Sequence, residues 1–232
     1  MILYSIEDSV TWGAELENKE QERYSKLVAN HLGAIDCNNA SAGVSNNYLF
    51  RNTIRDINQW IHTNRIWDET NGWIKSDELK VLIGWTSPTR FEWWDGEKYR
   101  QDRLWVDYDK WGKVDEYQTT ELQDKFILHQ NELIPSYIRT INHIISLESF
   151  LKLHNIDYYF FNTFYEYEEL EEPTSKIDLW GRDTEQLGIN YKIEMDNMYD
   201  YLNKNGGTFH ERKHPTKESH KMWANYIIEK WL

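Results

Sequence analysis

At 232 residues the chain has the length of one large domain or at most two small ones, and a content of 40% hydrophobic and 15% aromatic residues excludes a disordered polymer. A net charge of −13 argues against a nucleic-acid partner, which needs a basic face to displace counterions, and against docking on an anionic membrane. The single Cys37 forms no internal disulfide, and no run approaches the ~18 apolar residues of a membrane span.

The opening segment MILYSIEDSVTWG has no basic n-region, and its apolar run stops at Glu7. It reads as part of the fold rather than as a signal peptide, so the expected location is the cytoplasm. Residues 2–6 (ILYSI) form a first strand. Residues 18–31 place Tyr24, Leu27 and Val28 at helical spacing, with Gly33 as a stop. Residues 34–37 (AIDC) make a short second strand, followed by the small-residue loop NNASAGVSNN. A helix over 47–63 carries Leu49, Ile54, Ile57 and Ile61 on one side, and 79–85 (LKVLIGW) is the clearest buried strand. Residues 118–154 are helical in pattern, interrupted by Pro135. Residues 156–163 (IDYYFFNT) are a further strand, and 216–231 a last amphipathic helix.

Strands alternating with helices predict an α/β chain: a three-layer α/β/α arrangement with a mainly parallel, flavodoxin-like sheet, over 1–232 as a single domain. Two stretches fit this pattern poorly, the aromatic-rich 91–117 and the acidic 165–189. They are expected to be insertions over the sheet or a lid. The 12 Trp residues either pack the core, their commoner use, or stack on sugars. In open parallel sheets the site lies beyond the C-terminal ends of the strands. That rule selects the loops Glu7–Gly13, Asn38–Asn47 and Trp85–Arg90.

Ser9 follows the first strand in E-D-S-V-T-W-G, where it is either an exposed nucleophile or a helix N-cap. A serine nucleophile needs a base within hydrogen-bond reach. His214 stands before the last helix, and Glu211, three residues upstream, is placed to orient its imidazole. His210 and His214 also fit H-E-x-x-H, but that zinc site needs both histidines on one helix. Asn205-Gly206-Gly207 before the motif and Pro215 after it place it in a loop. No metal site is therefore expected. The acidic run 166–172, with Asp183 and Glu185, reads as a solvated face. Arg90 at the mouth of the third strand either holds an anionic substrate group or forms a salt bridge.

Taken together these blocks resemble the SGNH hydrolases, also called GDSL esterases and lipases. Asp8-Ser9, with Thr11 and Gly13, is similar to their Gly-Asp-Ser block. Ala42-Gly43-Val44-Ser45-Asn46-Asn47 is similar to their second block and Gly84-Trp85-Thr86-Ser87 to their Gly-x-Asn-Asp block. Glu211-Arg212-Lys213-His214-Pro215 is similar to Asp-x-x-His-Pro. The S-P-T-R-F-E run after the third strand is similar to SGNH-like proteins of tailed phages. The resemblance implies Ser9 as nucleophile, His214 as base and Glu211 in place of the usual Asp. It implies an oxyanion hole from the N–H groups of Ser9 and of Gly43 or Asn46, with Thr86 or Ser87 donating a hydroxyl. Asp8, Ser87 and Arg90 would line the substrate side.

Two positions depart from the pattern. Glu7 stands where the family has Gly, and Thr86 stands where it has the oxyanion Asn; losing one such donor typically costs ~10²–10³ in rate. The expected function is ester hydrolysis, with an acylated carbohydrate as substrate class and 91–111 as an aromatic lid. Two other functions fit the same residues. One is a catalytically impaired binding protein on this fold, and the other is O-acyl transfer by the same triad. None of the three requires a cofactor, and the expected partner is a small-molecule or carbohydrate ester.

Overall fold

The computed structural model describes residues 1–68, 70–88, 90–94, 99–103, 133–163 and 195–232. Five parallel strands form one sheet in the order β2-β1-β5-β8-β9 (Ile35–Asn38, Ile2–Ile6, Leu79–Trp85, Asp157–Asn162 and Asp196–Asn197). Counting only the strands of this sheet, the order is the 2-1-3-4-5 of doubly wound folds. The expected α/β/α architecture with a flavodoxin-like sheet is what the chain adopts.

Alternation along the strands builds the two faces. Ile2, Tyr4 and Ile6 of β1, with Val81, Ile83 and Trp85 of β5, point to one side. There they pack on α4 (Asn46–Thr63) through Leu49 and Ile57, and on α5 (Leu133–Leu153) through Leu147 and Leu151. Leu3, Leu82 and Phe161 point to the other. They meet Tyr24 and Val28 of α3 (Tyr24–Leu32), Leu202 of α6 (Met198–Lys204) and Trp223 and Ile227 of α7 (Lys217–Trp231). Burying side chains of this size is worth ~1.5–3 kcal/mol each before entropy is subtracted. Both β1 and β5 are therefore read as near-continuous apolar runs, as expected of strands covered on both faces.

The predicted elements fall within a few residues of observed ones; β9 and α6 add to them, and three further differences follow. The helix over 18–31 is split: Lys19–Glu22 (α2) ends at Arg23, whose backbone is extended (φ −64°, ψ 144°), and α3 starts anew at Tyr24. The buried pair of Arg23 with Asp36 (2.9 Å) anchors that break to β2. A two-stranded hairpin, β3 (Arg65–Asp68) with β4 (Gly72–Lys75), follows α4. A second hairpin, β6 (Arg90–Trp94) with β7 (Tyr99–Arg103), occupies the start of the stretch expected to be an insertion. Arg51 of α4 clamps Glu92 of β6 through two hydrogen bonds of 3.0 Å. The rest of the 91–117 stretch, the 165–189 stretch and 118–132 lie outside the described residues. No helix among the described residues is long and apolar enough to cross a membrane.

Candidate active site

The chain leaves β1 through Glu7 and Asp8 into a single helical turn, α1 (Ser9–Trp12). Asp8 caps this turn by accepting from the Val10 N–H (3.0 Å). Gly13 ends it in a left-handed conformation (φ 83°). A Cβ on Gly13 would lie 2.8 Å from Lys19 Cβ, so glycine is needed there for space as well as for φ. Two residues later Glu15 also adopts positive φ (66°). This doubling back sets the Glu15 side chain beside the turn that bears Ser9.

At the other end of the chain, residues 209–215 form a tight loop closed by a bridge between Phe209 and Pro215. Within it His210 N–H donates to His214 O (2.8 Å) and Lys213 N–H to His210 O (2.9 Å). Lys213 takes positive φ (69°), and Tyr199 of α6 donates its hydroxyl to Lys213 O at 2.7 Å. His210 and His214 thus lie on a turn, not on one helix face, which is the wrong geometry for the zinc motif. Among the described residues no three His, Cys, Asp or Glu side chains converge in a way that could hold a metal ion.

The loop brings His214 onto Ser9. Nε2 of His214 lies 3.0 Å from Ser9 Oγ, and Nδ1 lies 2.6 Å from Glu15 Oε2. Ser9 is half-buried, and the His214 and Glu15 side chains are 21% and 26% exposed, so the row borders solvent. The hydrogen bond from His214 lowers the Glu15 pKa below the ordinary carboxylate range, which keeps the acceptor ionised. An ionised acceptor at Nδ1 fixes the tautomer that leaves Nε2 free to accept the serine proton.

The third member of this row is Glu15, not Glu211. Glu211 is exposed in the 209–215 turn, and the imidazole Nδ1 is taken by Glu15. The spacing Glu-x-x-His cannot deliver the carboxylate here because the three-residue step is used up in closing the turn. Glu15 belongs to no motif. The local hint is Gly13, which signals that the chain reverses just after Ser9.

Other expected site residues take structural roles. Asp8 is fully buried, accepts from Val10 N–H and Thr86 Oγ1 (3.2 Å), and is paired with Arg90 Nη1. It has no surface to offer a substrate, and Arg90 is a salt-bridge partner rather than an anion receptor. Thr86 has one hydroxyl proton and donates it to Asp8, so that hydroxyl is not aimed at an oxyanion. Asn46 opens α4, and its amide brackets the Thr86 backbone. Oδ1 accepts from Thr86 N–H and Nδ2 donates to Thr86 O, both at 2.9 Å, and Nδ2 also reaches Thr140 Oγ1 at 3.2 Å. Ser87 is buried and accepts at its carbonyl from Arg90 N–H (3.1 Å). Gly43 takes positive φ (77°) in the loop after β2, on the same C-terminal side of the sheet as Ser9.

Beneath the turn that bears Ser9 lies a polar network that motif reading did not find. Glu7 is fully buried on the α3 side of the sheet. It accepts from Tyr24 Oη (2.9 Å) and from Thr163 Oγ1, and Tyr24 in turn bonds Thr11 Oγ1. Burial first, and then the neighbouring Asp8 charge, push its pKa up to about 8. His220 stacks on Tyr24 at 5.8 Å and accepts from its N–H (3.2 Å), so it is a packing residue. Burial lowers its pKa to about 3.

Comparison with curated proteins finds no match. Among solved structures the chain is similar to a member of the lipolytic protein G-D-S-L family from Veillonella parvula DSM 2008. The identity is 12% and the TM-score 0.44, over 100% of this chain and 98% of that one. Residues 6–232 match the model described as "Family of unknown function (DUF6071)", and the chain belongs to that family.

Proposed function

We propose that the protein is a serine ester hydrolase of the SGNH type, with Ser9 as nucleophile, His214 as general base and Glu15 as the carboxylate that orients it. The observation that carries this reading is the placement of His214, 3.0 Å from Ser9 Oγ on one nitrogen and 2.6 Å from Glu15 on the other. Three residues drawn from two loops far apart in sequence supply the nucleophile, base and orienting group that acyl transfer needs.

In the proposed reaction Ser9 Oγ attacks the ester carbonyl carbon while its proton passes to His214 Nε2. The oxyanion is received by the backbone N–H groups of Ser9 and Gly43. Collapse breaks the bond to the alcohol oxygen, which takes the proton back from Nε2. A water then attacks the acyl-enzyme with His214 again as base, releasing the acid and restoring Ser9. Glu15 stays ionised throughout and stabilises the imidazolium. An acylated carbohydrate is the substrate class suggested by the Trp- and Tyr-rich 91–117 stretch.

A second reading, a binding protein with an impaired site, is favoured by one observation. The Thr86 hydroxyl is engaged with Asp8 within the protein, which removes one of the two hydroxyl donors, Thr86 or Ser87, expected at the oxyanion. Covalent labelling separates the two. Intact mass after treatment with a fluorophosphonate is expected to show one adduct on the wild type and none on Ser9→Ala. A folded wild type that takes no adduct would leave the binding reading in place of the hydrolase.

A further inference from the structure

We infer that the outer face of the β3–β4 hairpin is a binding site for a saccharide chain that carries carboxylate groups. The hairpin alternates strictly. Ile66 and Ile74 point into the core, at 0% and 6% exposure, which sends Arg65, Trp67, Trp73 and Lys75 to the opposite face. Trp67 and Trp73 are cross-strand partners with ring centroids 5.5 Å apart and planes at 73°. They remain 49% and 56% exposed, among the largest apolar surfaces left open by the fold.

A cross-strand Trp pair stabilises a hairpin by itself. The residues around it, however, work against stability. Arg65 lies directly opposite Lys75, a like-charge pairing that costs free energy in a ladder. Neither has an ion-pair partner among the described residues, in a chain whose net charge is −13. Beside Trp73 opens a cleft of about 370 Å³ lined by Gln59, Thr63, Arg65 and Lys75, with no carboxylate in its wall among the described residues. That volume is at the small end of ligand sites.

Each feature matches one part of the same ligand. The corner between two perpendicular indoles offers a ring face and a ring edge to the C–H face of a sugar. Gln59 offers its amide to the sugar's hydroxyls, while the Thr63 hydroxyl is held by Gln59 and the Arg65 N–H and shapes the wall. Arg65 and Lys75 offer two cations to its carboxylates. A nucleic acid would bring one charge per ~1.7 Å against an acidic protein, whereas an acidic saccharide brings its charges at wider spacing. The inner side of the same hairpin is tied to the candidate active site through the buried Asp68. Asn38 N–H donates to Asp68 Oδ2 of β3 (3.1 Å), and Asn38 Nδ2 donates to Thr11 O of the turn that bears Ser9 (2.8 Å).

The test is calorimetric titration of the intact protein with a galacturonic acid trimer, a neutral galactose trimer and a thymidine oligonucleotide. The acidic trimer is expected to bind roughly tenfold more tightly than the neutral one, as two exposed ion pairs would give. Trp73→Ala should abolish binding of both. Because that variant could open the hairpin, Arg65→Gln with Lys75→Gln provides the second arm. It keeps the Trp pair and should retain the neutral trimer while losing the preference for the acidic one. Absence of saccharide binding by the wild type overturns the inference, as does unchanged acid preference in the double variant. Tighter binding of the oligonucleotide, or a concentration-dependent dimer dispersed by Trp73→Ala, would overturn it in favour of a nucleic acid or a second copy of the chain. The heat is read without turnover, so this outcome is independent of whether Ser9 is a nucleophile.

Discussion

Glu15 meets His214 at 2.6 Å from the far end of the chain, 199 residues upstream, and does so from a left-handed backbone (φ 66°) that glutamate seldom adopts. Strain of this kind persists only where the surroundings impose it. Here the Gly13 turn and the His214 contact both do. Glu15→Gln keeps the shape but presents an amide that no longer fixes the imidazole tautomer. Turnover of a short-chain aryl ester should fall by roughly 10²–10⁴. Glu211→Gln, at an exposed position of the turn, should leave it unchanged. Equal losses in the two variants would return the orienting role to the Glu-x-x-His spacing.

Glu7 sets a pH dependence of stability. Its native pKa, about 8, lies above the ordinary 4.5 because burial disfavours the charge and Asp8 adds repulsion. A carboxyl raised in this way stabilises the native state fully below its unfolded value and loses that contribution as pH rises toward the folded one. The wild type should therefore lose Tm between about pH 4.5 and pH 8. Glu7→Gln, neutral at every pH and able to bond both Tyr24 and Thr163, should flatten that slope. Parallel melting curves of the two proteins from pH 5 to pH 9 would count against the assignment.

The strands and most helices could be read because burial on both sides of the sheet writes long apolar runs into β1 and β5, and Ser9 and His214 could be read because each sits at a strand or helix boundary with a motif around it. Glu15 could not, since it serves the site through a backbone reversal rather than through a spacing. Arg90, Asp8 and Thr86 were legible as neighbours of the site but not as partners of one another. Their pairing depends on the β1–β5 register, in which Ile6 faces Ile83 and the following residues converge. The β3–β4 hairpin did carry a signal that went unread: Asn71-Gly72 between Arg65-Ile66-Trp67 and Trp73-Ile74-Lys75 is a strong hairpin sequence.

The same register explains Gly84. It stands beside Glu7 on the neighbouring strand, and a Cβ there would lie 2.5 Å from Glu7 Cδ and 2.7 Å from Phe161 Cζ. Glycine at this position thus admits a buried carboxyl. Gly84→Ala should destabilise by roughly 1–3 kcal/mol through overpacking. In a Glu7→Ala background the same change should cost less, because one of the two clashes is gone. Denaturant unfolding of the four proteins of this cycle gives the coupling, and strict additivity would mean that the two residues do not compete for space.

Asp8 and Arg90 provide the clearest stability test at the site. The carboxylate is fully buried, and Arg90 is the cation that compensates it, with an 11% exposed side chain. Breaking a buried pair from one side leaves an uncompensated charge, which typically costs ~3–5 kcal/mol. Arg90→Met should therefore lower unfolding free energy by that order. Adding Asp8→Asn should restore much of it, since an asparagine oxygen still accepts from Val10 N–H and caps the turn that bears Ser9. Were Arg90 instead a receptor for an anionic substrate group, Arg90→Met would leave unfolding untouched and raise KM alone. Chemical denaturation of the two variants, run beside ester kinetics, decides between a buried counter-ion and a substrate contact.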